Sequence, residues 1–165
     1  MIRAATQSDA SRIAEIYNHY VENTSVTFEE VSVDADDIAL RIAGAAAETL
    51  PYLLYETDGD GIVGYAYASK WKGRCAYRYS VEISVYVAHG KPGQGTGSQL
   101  YSALFKRLSD LGYHVVIGGI SLPNPGSIAL HEKFGMTKAA HFSEIGFKFG
   151  KWVDVGYWQG MLPDK

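Results

Sequence analysis

The sequence predicts an α/β domain with a mixed sheet, and three observations carry that expectation. Segments in which every second residue is apolar trade places along the chain with segments whose apolar residues recur every three or four positions, the periods of strand and helix. An Asp-Gly turn divides "PYLLYETDGDGIVGYAYASKW" into two β-branched and aromatic runs, a strong hairpin signal. A third run, "VEISVYV", breaks into a glycine-rich turn and resumes at helical spacing, which joins a strand directly to a helix.

Each element follows in order. Residues 1–5 read as a short strand. Residues 7–23, "QSDASRIAEIYNHYVEN", read as a helix that Ser8 or Asp9 is placed to cap, with Ile13, Ile16, Tyr17 and Tyr20 on one face. Residues 24–32 are polar and β-branched, an ordered loop. "DADDIALRIAGAAAETL" is a second helix whose acidic first turn suits the helix dipole. The hairpin fills residues 51–71. Residues 77–87 read as one long strand, where Val81, Ile83, Val85 and Val87 alternate with Ser80, Glu82, Ser84 and Tyr86, an apolar face against a mostly polar one. Residues 94–111 form a helix with Leu100, Leu104, Leu108 and Leu111 on one stripe. "HVVIGGISL" is a buried strand, residues 125–134 a short helix after a Pro-Asn-Pro turn, and residues 136–162 two more strands about "KFGKW". No repeat, low-complexity run or linker interrupts the 165 residues, so a single domain over residues 1–165 is expected.

Composition narrows the function classes. A formal net charge of −3, spread along the chain, offers no basic stripe for nucleic acid. The charged N-terminal segment has the pattern of neither a signal peptide nor a membrane span, so a cytoplasmic protein with no membrane partner is expected. The single cysteine, Cys75, has no partner for an internal disulfide, which fits a reducing compartment; it reads as a small buried hydrophobe. No metal is expected.

The turn "HGKPGQGTGSQL" exposes backbone N–H groups at a helix start, which is an anion site in the making. A Walker loop would need Lys then Ser or Thr after its last glycine, and Thr96 and Gly97 follow Gly95 instead. A dinucleotide fingerprint fails on the third glycine, because Ser98 or Leu100 stands there. "GQGTGSQLYSALFKRL" does resemble the pyrophosphate loop and following helix of the GCN5-related N-acetyltransferases. Their pattern is Arg or Gln, two residues, Gly, one residue, then Gly or Ala. Gly95 and Gly97 match it, and Pro92 stands at the Arg or Gln position, where it offers no N–H. "SLPNPGSIALHEKFGM" resembles the second cofactor segment of the same superfamily. "NTSVTFEE", "WKGRCAYRYSVEISVYV", "LPNPGSIALHEKFGM" and "GFKFGKWVDVGYWQ" together look like the phosphinothricin and methionine sulfoximine N-acetyltransferases.

That resemblance implies a mostly antiparallel sheet with one splayed parallel strand pair, acetyl-CoA as co-substrate, and a small amino-acid-like acceptor. It places the pyrophosphate at Gly93, Gln94, Gly95, Thr96, Gly97 and Ser98, and the pantetheine arm against the backbone of Val85, Tyr86 and Val87, with Asn124 and Ser127 beside it. Glu82 is the candidate base, with an ion pair to Arg78 or Lys72 as the competing role. His131 stands where many relatives have a proton-donating tyrosine, and an imidazolium there would protonate the leaving thiolate; a packed helix histidine is the alternative. Lys72, Gly73, Arg74, Tyr77 and Arg78 would hold the acceptor carboxylate, with Phe28 as a lid wall. A homodimer is implied too, and the aromatic tail with Phe142, Phe147, Phe149, Trp152, Tyr157 and Trp158 points the same way. An acyl-CoA sensor without turnover and a protein N-terminal acetyltransferase are the competing functions. The second fits less well, since the aromatic segments would narrow the channel against a peptide.

Overall fold

A computed structural model describes residues 1–90 and 95–163; the expectations for Lys91, Pro92, Gly93 and Gln94 lie outside them. Among the described residues, seven strands make one sheet: β1 (Ile2–Ala4), β2 (Tyr52–Thr57), β3 (Gly61–Lys70), β4 (Ser80–Val87), β5 (Val115–Ser121), β6 (Thr137–Lys148) and β7 (Lys151–Met161). Their spatial order is β1-β2-β3-β4-β5-β7-β6. The β4–β5 pair is parallel and the other neighbours are antiparallel.

Four α-helices cover the sheet. On one face lie α1 (Ala10–Asn23) and α2 (Ala35–Ala47), which bury Ile13, Ile16, Tyr17, Ile38 and Ile42 against Leu54, Tyr65 and Tyr86. On the other lie α3 (Thr96–Asp110) and α4 (Pro125–Lys133); here Leu100, Leu104 and Leu108 meet Val81, Ile83, Val116 and Ile120. The leucine stripe follows from the 3.6-residue period. Because both faces carry helices, Tyr86 is buried although it stands on the face expected to be polar.

Three local expectations are corrected. Residues 7–9 form a 3-10 turn rather than the start of α1, and the Asp9 carboxylate is taken by the Thr6 N–H at 2.8 Å and by Arg3 at 2.7 Å instead of capping that helix. β4 begins at Ser80, not at residue 77. Cys75–Tyr77 is a 3-10 turn closed by the Arg78 N–H on the Cys75 carbonyl at 3.2 Å, so these residues satisfy their own backbone. Cys75 is exposed there, not buried.

Candidate active site

The parallel pair at the centre of the sheet opens, and two glycines stand at the opening. Parallel pairing ends at Glu82 opposite Ile117, yet β4 continues to Val87 and β5 to Ser121. The first residues of β5 past the last pair are Gly118 and Gly119. A Cβ on Gly118 would collide with the His131 imidazole, and one on Gly119 would lie 3.1 Å from the Tyr157 ring and 3.3 Å from Glu82 Oε1. Without those two side chains the strands diverge around groups that arrive from opposite faces. On the α3–α4 side, Ile83, Val85, Tyr101, Asn124, Ser127 and His131 line a cleft. On the α1–α2 side, Val26, Phe28, Glu82, Ile145, Val155 and Tyr157 line another, of about 340 Å³. Val26, Ser84, Tyr86, Gly119 and Ser121 border both, so the two meet at the split.

Glu82 is half-buried on the α1–α2 face. Burial raises its pKa above the ordinary carboxylate value, and the nearby Lys72 ammonium offsets part of that rise. Arg78, the other expected partner, is turned away: its guanidinium donates to the Cys75 carbonyl at 3.1 Å and lies 4.7 Å from the Tyr79 ring.

His131 is buried on the opposite face. Its Nδ1 lies 2.7 Å from the Ser127 carbonyl, which only a protonated nitrogen can satisfy, so Nε2 accepts from the Tyr101 hydroxyl at 3.0 Å. Burial lowers the His131 pKa, the Ser127 bond opposing it, so the site disfavours the imidazolium. Tyr101, missed in the sequence because it sits one residue off the leucine stripe, is fully buried and its phenol stays protonated.

Strand alternation sorts the three β4 residues expected to meet the pantetheine. The Ala88 N–H donates to Val63 on β3, so the backbone of Val85 and Val87 faces the gap while that of Tyr86 faces β3. Tyr86 thus contributes its side chain, not its backbone, to the cleft. Val87 is already engaged, for its carbonyl accepts from Tyr20 Oη at 2.6 Å. At the start of α3, Gly95 takes a left-handed conformation (φ 78°) that favours glycine. Thr96 is buried with its methyl against Gly64, and Gly97 lets Leu130 of α4 approach where a Cβ would lie 3.2 Å from it. Ser98 accepts a hydrogen bond from Lys133 at 3.0 Å, which brings an ammonium to this helix start; the sequence reading missed Lys133. Asn124 caps α4, its Oδ1 accepting the Ser127 N–H at 3.1 Å, and it also lines the cleft. The turn reading and the cleft reading of Asn124 are compatible.

Of the cationic loop only Lys72 is tied to the cleft, through its charge on Glu82; Gly73, Arg74, Tyr77 and Arg78 are not among the residues that line it. Lys72, Gly73, Arg74, Tyr77 and Arg78 are exposed, and Lys72 rests 4.9 Å from the Trp71 ring, which meets Tyr157 edge-on at 5.7 Å. Phe28 lines the cleft as expected, its ring seated on Gly146.

Comparison with known proteins agrees with this geometry. The acetyltransferase (GNAT) domain family matches residues 2–156. The L-amino acid N-acyltransferase MnaT of Escherichia coli is 38% identical over 167 residues, covering 99% of this chain and 95% of that protein. The L-methionine sulfoximine/L-methionine sulfone acetyltransferase of Salmonella typhimurium is 37% identical, covering 99% and 95%. A crystal structure of a GNAT superfamily phosphinothricin acetyltransferase from Sinorhizobium meliloti, in complex with AcCoA, superposes with a TM-score of 0.95 at 35% identity and covers 98% of this chain and 88% of that one. End-to-end similarity and a shared fold place the chain in the GCN5-related N-acetyltransferase family, among the phosphinothricin and methionine sulfoximine N-acetyltransferases.

Proposed function

We propose that residues 1–165 form one domain that transfers an acetyl group from acetyl-CoA to the amino group of a small amino-acid-like acceptor. The observation that carries this reading is Glu82, a carboxylate with a raised pKa at the point where the sheet splits. The thioester supplies an activated acetyl carbon. An acceptor in the α1–α2 cleft presents its ammonium to Glu82, which takes the proton; the amine then attacks through the gap. The gap-facing N–H of Val85 is placed to pair with the pantetheine arm or to donate to the thioester oxygen. N–H groups of the first turn of α3 and the Lys133 ammonium suit the pyrophosphate.

Tyr101 and His131 stand on the leaving-group side. At rest Tyr101 donates to Nε2. Turned toward the leaving sulfur, the Tyr101 O–H gives its proton to the thiolate as the C–S bond breaks, and the second proton shed by the attacking nitrogen restores the phenol. Apolar walls from Val26, Ile145 and Val155 suit an aliphatic side chain, and Lys72, with Arg74 of the same loop, suits a carboxylate. Phosphinothricin, methionine sulfoximine and methionine sulfone share that chemistry. Phe142, Ile145, Phe147, Phe149 and Trp152 are exposed on the β6–β7 hairpin, and a second copy of the chain would cover them and close the rim. The cytoplasm, which supplies acetyl-CoA, is the proposed compartment.

Glu82→Gln tests the reading. With acetyl-CoA and methionine sulfone as substrates, thiol release should slow by about 10²-fold while acetyl-CoA affinity holds. A variant as fast as the parent across pH 6 to 9 would falsify the assignment of Glu82 as base.

A further inference from the structure

We propose that Lys148 and Gly146 are a positioning pair: from the edge strand β6 they hold Thr27 and Phe28 in place as the acceptor wall of the cleft. This rests on the reading of the Glu82 cleft as the acceptor site. Residues 24–32 contain no helix or strand, so their position depends on bonds from other elements. From the helices, Tyr17 Oη bonds Thr27 Oγ1 at 2.7 Å and Arg41 pairs with Glu29 at 2.9 Å. From β6, the Lys148 ammonium donates to the Thr27 carbonyl at 2.8 Å.

Lys148 is only 2% exposed. A buried ammonium costs more than an apolar side chain of the same volume unless its bonds do something that chain cannot. Burial accordingly lowers the Lys148 pKa, with Glu30 and Glu29 opposing the shift. Its remaining surroundings include the Phe149 ring, 5.0 Å away. Two residues back, Gly146 provides the floor on which the Phe28 ring rests, and any Cβ there would strike that ring. Next to Gly146 in the chain, Ile145 lines the cleft itself. The strand is irregular between Phe142 and Gly146, and this bulge is pinned by Asp154, which accepts from the Glu144 N–H at 2.8 Å and from His141 at 2.7 Å. The supports of the Thr27–Phe28 wall, and Ile145 beside them, are thus built into one hairpin. Lys148 itself does not line the cleft, so it acts through Thr27 and Phe28, on acceptor binding rather than on the chemical step.

Steady-state kinetics with methionine sulfone and acetyl-CoA test this. Lys148→Met keeps the volume and removes the donor. Its acceptor KM should rise about tenfold, with kcat within about threefold and acetyl-CoA KM unchanged, the signature of lost ground-state positioning. Gly146→Ala displaces Phe28 with Lys148 intact and should give the same split. The double variant should be no worse than the poorer single, because both act on one loop. An unchanged acceptor KM in Lys148→Met, or an equal rise in both KM values, overturns the proposal. Should Lys148→Met not fold, the split in Gly146→Ala decides by the same criterion. Glu82→Gln in the same assay separates the two readings. A slow Glu82→Gln beside a wild-type-like Lys148→Met overturns the positioning pair alone, whereas a fast Glu82→Gln overturns the cleft.

Discussion

Glu82 must give up a proton at a site that opposes its charge, and two measurements read that tension. Since burial raises its pKa, the acidic limb of kcat/KM should lie above the ordinary carboxylate range. Lys72 is the charge that holds the pKa down, so Lys72→Met should move that limb to higher pH. A limb that stays put would assign it to another group. The same shift has a stability sign. Between the unfolded pKa and the raised folded one, the native state binds more protons, and stability falls as pH rises through that window. Glu82→Gln removes the buried charge and should therefore unfold at higher urea than the parent near neutral pH, with the gap closing toward acid. Across the sheet, Tyr101 and His131 share one hydrogen bond. Tyr101→Phe and His131→Asn should each slow turnover by about tenfold or more, and the double variant should be little slower than the poorer single. Additive losses would mean that the two act separately.

At the scale of elements, the β4–β5 split depends on what β5 omits. Gly118 gives its Cβ space to the His131 imidazole. Gly118→Ala should lower stability by about 1–3 kcal/mol in urea unfolding, the usual penalty of overpacking, and should also reduce turnover by displacing His131. Full activity in this variant would show that the position of the imidazole is immaterial. The alternation along residues 80–87 made β4 legible, and Glu82 with it, because side-chain direction in a strand is a local property. The start of β4 was not legible. Residues 77–79 have strand-like composition, but nothing pairs them with β3, whose ladder to β4 begins at Lys70 opposite Val81.

For the molecule as a whole, the exposed rings divide the aromatic tail. Trp158 is buried in the core, while Phe142, Phe147, Phe149 and Trp152 are more than 45% exposed. The account in which these rings merely cap their own domain holds for Trp158 and fails for those four. Sedimentation at low micromolar concentration should give a dimer, and a fully active monomer would end the proposal of a closed, shared rim.

By itself the sequence determined what depends on neighbours a few residues apart: the helical stripes of α1 and α3, the hairpin, the strand that carries Glu82, and the glycines at the start of α3. Tertiary structure alone decided what depends on the order of strands. Tyr101 and His131 are 30 residues apart and Thr27 and Lys148 are 121 apart, and no periodicity links such pairs. Cys75 looked like a core residue and proved exposed, because burial is set by which elements pack over a segment and not by its own side chains. The split of β4 from β5 belongs to the same class: "VVIGGIS" reads as part of a buried strand, and only the imidazole above one of its glycines and the ring of Tyr157 beside the other explain that pair.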